Sequence, residues 1–139
     1  MSARAVVAGY DGSRVAQSAV VEAGLRAGPT GCVFVVYAYS SPPAFLGWPY
    51  YNRRLTRARA IGHQALAFLL MGGTWLPEAE YIPELIAGQP VDAIARVTAA
   101  RHADAIVVGA SSTRRLRAKR ASVSHELEQT LRVPVITTH

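Results

Sequence analysis

Asp11, Gly12 and Ser13 open the list of residues that could do chemistry. A carboxylate in a tight turn can accept hydrogen bonds from hydroxyl or amide donors, and a serine directly after it can cap a helix. The second such place is the segment Ala110–Ala121, which follows Gly109. It holds Ser111, Ser112 and Thr113, then the five cations Arg114, Arg115, Arg117, Lys119 and Arg120, and it runs into Ser122, Val123 and Ser124. Hydroxyls, guanidinium groups and the start of a helix form a natural site for an anion. A third cluster, Arg53, Arg54, Arg57 and Arg59, adjoins Trp48, Tyr50 and Tyr51. Aromatic rings beside arginines can stack bases while the cations hold phosphates.

Dedicated catalysis is poorly supported. His63, His102, His125 and His139 are scattered with no i, i+4 pair, so a histidine metal site is not expected, and surface or capping roles are. Cys32 is the single cysteine, which excludes an internal disulfide and a multi-cysteine metal site; it reads as a small core hydrophobe. No general base has an evident partner, so dedicated catalysis is not expected. Neither G-x-x-x-x-G-K-[ST] nor G-x-G-x-x-G occurs, which argues against a P-loop NTPase and an NAD enzyme.

The 139 residues suit one domain, 1–139, and 50% hydrophobic residues with 17% charged argue against disorder. Fifteen Lys plus Arg against nine Asp plus Glu give a net charge of +6, and only Lys119 among the cations is not arginine. Such a chain attracts polyanions without any specific site. No apolar stretch is long enough to span a bilayer, and the first residues lack the pattern of a signal peptide. A cytoplasmic location without membrane attachment is the expectation.

The elements that must position these residues alternate. Residues 4–9 form an apolar run ending in glycine, a buried strand. Val15, Ala16, Ala19, Val20 and Ala23 recur at helical spacing after Ser13, and Gly28-Pro29 closes that helix. Residues 31–38 make a second strand, and Ser40–Tyr51 an aromatic loop. A helix from about Arg53 to Met71 buries Leu55, Ala58, Ala65, Leu66 and Leu69. A third strand, Ala79–Ala87, contains Pro83 and so belongs at a sheet edge. Pro90 starts a helix that buries Val91, Ile94, Ala95, Thr98 and Ala99. Residues 104–109 make the fourth strand, Ser122 caps a helix to about Leu131, and residues 133–138 make the fifth strand. This order predicts an α/β fold: a Rossmann-like, open, mostly parallel five-stranded sheet in the order 3-2-1-4-5, with helices on both faces. Ligands bind such sheets where strand order reverses, here between strands 1 and 4.

Three segments resemble the universal stress protein family: Val6-Val-Ala-Gly-Tyr-Asp-Gly-Ser13; Gly88-Gln-Pro-Val-Asp-Ala-Ile94 with Ala103-Asp-Ala-Ile-Val-Val-Gly109; and Ser122-Val-Ser124 with Val133-Pro-Val-Ile136. The resemblance covers nearly the whole chain. It implies a Rossmann-like fold, a homodimer paired through the last strand, and binding of an adenine nucleotide such as ATP or cyclic AMP, with or without Mg2+. The family's ATP-binding loop, G-x2-G-x9-G-[ST], is altered here. Gly109 matches its first glycine, Ser112 and Ala121 replace the next two, Ser122 keeps the hydroxyl, and the spacer is one residue short. By the same resemblance Asp11 lies near ribose and phosphate, and the Ala38 backbone meets the adenine edge. The expected contacts are Asp11, Ala38 and Gly109 to the nucleoside, Ser112, Ser122 and Ser124 with Arg114 or Arg115 to phosphate, and Ala121 and Val123 as further residues of the site. Two alternatives remain at this point. One is a dimeric scaffold or signalling protein without a nucleotide; the other is a binder of nucleic acid or an acidic partner through the arginine clusters.

Overall fold

The computed structural model describes residues 4–40, 47–71, 76–110 and 133–138. The elements run β1 (Ala5–Gly9), α1 (Arg14–Ala27), β2 (Cys32–Tyr39), α2 (Tyr50–Met71), β3 (Glu80–Ala87), α3 (Pro90–Arg101), β4 (Ala105–Gly109) and β5 (Val135–Thr138). They form one parallel sheet in the order β3-β2-β1-β4-β5, as the alternation of strands and helices predicts. The helix expected between residues 122 and 131 lies outside the described residues.

Strand alternation divides the core in two. Val6, Ala8, Val33 and Val35 face α1 and α2, where they meet Ala19, Val20, Ala23, Leu66 and Leu69. Val7, Phe34, Val36, Ile106 and Val108 face the other way and meet Ala93, Ile94 and Val97 of α3. β3 lies at the edge. The Glu80 N–H donates across to Gly31 O, so by alternation the nitrogen of Pro83 points away from β2. Its missing donor costs no ladder bond there.

Several local expectations shift. α2 begins at Tyr50 rather than Arg53, because the Tyr51 and Arg53 N–H groups already bond to Gly47 O and Pro49 O. Pro49 is a helix-start residue here instead of a loop marker. Ala99 is exposed, and Ala93 and Val97 are buried in its place, so the inner arc of α3 is turned toward those two. Val15 is 40% exposed, because it lies at the rim of the sheet, over Gly109 at the end of β4. Cys32 is half-buried, packed at the margin of the α3-side core rather than within it. Gly62 completes the inner stripe of α2, where the helix passes so close to β3 that a Cβ would meet Leu85.

Candidate functional site

β1 ends at Gly9, and the chain turns out of the sheet at Tyr10, whose N–H donates to Val36 O at 2.9 Å. Asp11 Oδ1 accepts from the Ser13 N–H at 2.9 Å, which closes the turn, and Gly12 takes the positive φ of 89° that the turn needs. Ser13 is the N-cap of α1, its hydroxyl accepting from the Ala16 N–H at 3.1 Å. α3 begins on the other side of the same opening at Pro90. Two helix N-termini, each with a partial positive charge, therefore meet at the carboxyl ends of the strands.

β2 continues past the point where β1 leaves. Val36 O faces β1, so the N–H and C=O of Ala38, two residues on, face the same side. No strand lies opposite them there among the described residues, because β1 pairs with β2 only as far as Gly9 and Val36. One donor and one acceptor thus border the space that β1 vacates.

Gly9, Asp11, Ser13, Val15, Ala38 and Gly109 line a cleft of about 190 Å³, together with the buried Tyr10, Val36 and Ile94. Gly109 ends β4 with Val15 over it, and a Cβ at Gly109 would come within 2.8 Å of Val15 Cγ1. Glycine at this position holds the cleft open.

Asp11, Ala38 and Gly109 are thus brought together. Ser112, Arg114, Arg115, Ala121, Ser122, Val123 and Ser124 lie outside the described residues. Val15 and Pro90 border the cleft and were expected only as a core residue and a helix start; the sole hint was their position in the first turns of two helices that begin at strand ends. All four members of the arginine cluster, Arg53, Arg54, Arg57 and Arg59, are exposed, and Arg59 Nε donates to the Tyr39 hydroxyl at 3.1 Å. No group of His, Cys, Asp and Glu among the described residues could hold a metal ion. No helix among them is long and apolar enough to cross a membrane.

The profile of the universal stress protein family matches residues 2–139. The chain belongs to the universal stress protein family. This universal stress protein is 32% identical over 111 residues to the "universal stress protein in QAH/OAS sulfhydrylase 3'region" of Thermus aquaticus, 76% of each chain being covered. Its fold is similar to that of the universal stress protein from Archaeoglobus fulgidus in complex with dAMP, with a TM-score of 0.60 at 21% identity over 99% of this chain and 98% of that one. It is equally similar to a universal stress protein in complex with cAMP, with a TM-score of 0.60 at 22% identity over 99% and 97% of the two chains.

Proposed function

We propose that this universal stress protein binds an adenine nucleotide, without turning it over, in the cleft between β1 and β4, as part of a stress response. The cleft carries the reading. It lies where strand order reverses, and the free edge of Ala38 offers a donor–acceptor pair to a flat heterocycle. Asp11 Oδ1 is committed to the turn, which leaves Oδ2 to accept from ribose hydroxyls. The N-termini of α1 and α3 favour a negatively charged ligand. The solved relatives in complex with cAMP and dAMP support an adenine ligand of this kind. The described cleft is smaller than the roughly 300 Å³ of ordinary small-molecule sites. It suits the nucleoside, with Ser112, Arg114, Arg115, Ala121, Ser122, Val123 and Ser124 as the phosphate side.

The chemistry assigned to each residue is binding and orientation. Two of the three glycines of the ATP-binding loop are replaced, by Ser112 and Ala121, so fewer backbone amides can approach a long polyphosphate chain. Arg114 and Arg115 supply charge in their place. Monophosphates are accordingly the preferred ligands, and no metal is required for them.

The same reading includes a homodimer. Among the described residues β5 pairs with β4 alone and ends the sheet, and a second copy can continue the ladder there.

Thermal unfolding with AMP, cyclic AMP and ATP tests the site. A ligand at 100 times its Kd adds about 2.7 kcal/mol, a rise of several degrees in Tm for a domain of this size. Cyclic AMP or AMP should give this rise at moderate salt, ATP less, and Asp11→Ala should abolish it. No rise with any nucleotide would leave the dimeric scaffold as the better account.

A further inference from the structure

The outer face of α2 has no role in the nucleotide site. At about 100° per residue, Tyr50, Arg53, Arg54, Arg57, Ile61, Phe68 and Met71 fall within roughly 100° of arc. That arc is opposite Gly62, Leu66 and Leu69, which are buried against the sheet. Its apolar members are half or more exposed: Ile61 is 54% exposed, Phe68 75%, Met71 87% and Tyr50 63%, with Trp48 at 77% just before the helix. Isolated exposed apolar residues are ordinary, but a row of them on one side of a 22-residue helix is not.

The charge of this face has one sign. The sequence contains no Asp or Glu between Glu22 and Glu78, so α2 has arginines and no carboxylate. Ion pairs among the described residues join Arg26 to Glu22 and Arg101 to Glu84, and none engages Arg53, Arg54 or Arg57. Glu84 bonds Arg101 of α3, on the far side of the sheet.

From this we infer that the outer face of α2 docks on the surface of an anionic phospholipid bilayer. The helix would lie in the plane of the interface, about 33 Å long, with Ile61, Phe68 and Met71 below the headgroups. Arg53, Arg54 and Arg57 would meet lipid phosphates, and Trp48 and Tyr50 would lie at headgroup level. A nucleic acid would satisfy the arginines and the aromatic pair but leave Ile61 and Met71 without partners. A second copy of α2 would bury guanidinium groups against a helix with no carboxylate to receive them. A bilayer supplies both the negative charge and the apolar depth.

Sedimentation of the full chain with vesicles tests the inference. Binding is expected to phosphatidylcholine vesicles containing roughly one-third phosphatidylserine, and not to pure phosphatidylcholine. Arg53→Gln/Arg54→Gln/Arg57→Gln should weaken it about a hundredfold, at about fivefold per arginine. Phe68→Gln/Met71→Gln should weaken it about tenfold or more through lost apolar burial. All these positions are exposed, so both variants should melt like the parent. Absence of binding to the anionic vesicles overturns the inference, and an acidic protein segment then becomes the better occupant. Unchanged binding of the Phe68/Met71 variant also overturns it, since charge alone would then explain the attraction. Displacement from vesicles by an oligonucleotide that binds the parent more tightly, through the same arginines, overturns it in favour of nucleic acid.

Discussion

Val15 stands over Gly109 across the mouth of the cleft, its Cγ1 2.8 Å from where a Cβ on Gly109 would lie. No other residue fits there without movement, and Gly109 has no positive φ that would demand glycine on its own account. Space is therefore the reason for the glycine. Gly109→Ala is expected to push Val15 across the opening and weaken nucleotide binding at least tenfold. The stability cost should fall at or below the low end of the roughly 1–3 kcal/mol seen for overpacking, because Val15 is part-exposed and can yield outward. Adding Val15→Ala should restore most of the affinity. Titration calorimetry on the four members of this double-mutant cycle gives the coupling, and additive losses would show that the contact does not gate the site.

The turn at Asp11 separates a structural role from a binding role. Ser13→Ala removes the N-cap of α1 and should cost about 0.5–2 kcal/mol, read as a lower Tm with or without ligand. Asp11→Asn keeps an oxygen for the Ser13 N–H and should melt close to the parent, yet lose affinity because the oxygen facing the ribose becomes an amide. Equal affinity of Asp11→Asn and parent for cyclic AMP would remove Asp11 from the ligand contacts.

Much of this arrangement was readable from residue order. Short apolar runs ending in Gly9 and Gly109 mark β1 and β4, Pro83 marks an edge strand, and strand–helix alternation fixes a parallel sheet. The turn Asp11-Gly12-Ser13 announces itself by its types. The exposure of Val15 was not readable, because helical spacing alone does not say that this residue falls at the rim of the sheet, over Gly109. The start of α2 was hidden by Gly47 and Pro49, residues common to loops and helix starts. The buried arc of α3 depends on how the helix crosses β1 and β2, which spacing leaves open by about one residue. The free edge of Ala38 follows from β2 outlasting β1, a register relation that no single segment contains.

His102 ends α3 in the left-handed region, with φ 50° and ψ 49°, and its N–H bonds back to the last turn. Glycine occupies such caps at no steric cost, whereas other residues pay roughly 1–2 kcal/mol. Part of that gain is offset by the greater freedom of glycine in the unfolded chain. His102→Gly should therefore stabilise the fold by about 0.5–1 kcal/mol, seen as a Tm rise of a few degrees. A fall in Tm would mean that the imidazole makes a compensating contact.

Cys32 links burial to pH. Burial raises its thiol above the ordinary value, Glu80 raises it further, and Arg101 opposes them. The folded state thus holds the proton at a pH where the unfolded chain has released it. Where the unfolded state binds fewer protons, stability falls as pH rises. The contribution is fully present below the ordinary thiol range of about 8.5 and is lost progressively as pH climbs through the raised value. Tyr81, raised by burial, adds a second loss at higher pH. The two are separable by Cys32→Ala, which should melt with a shallower decline above the ordinary thiol value of about 8.5 while keeping the later one. Parallel Tm–pH curves for parent and variant would show that the thiol is as easily ionised in the fold as in the unfolded chain.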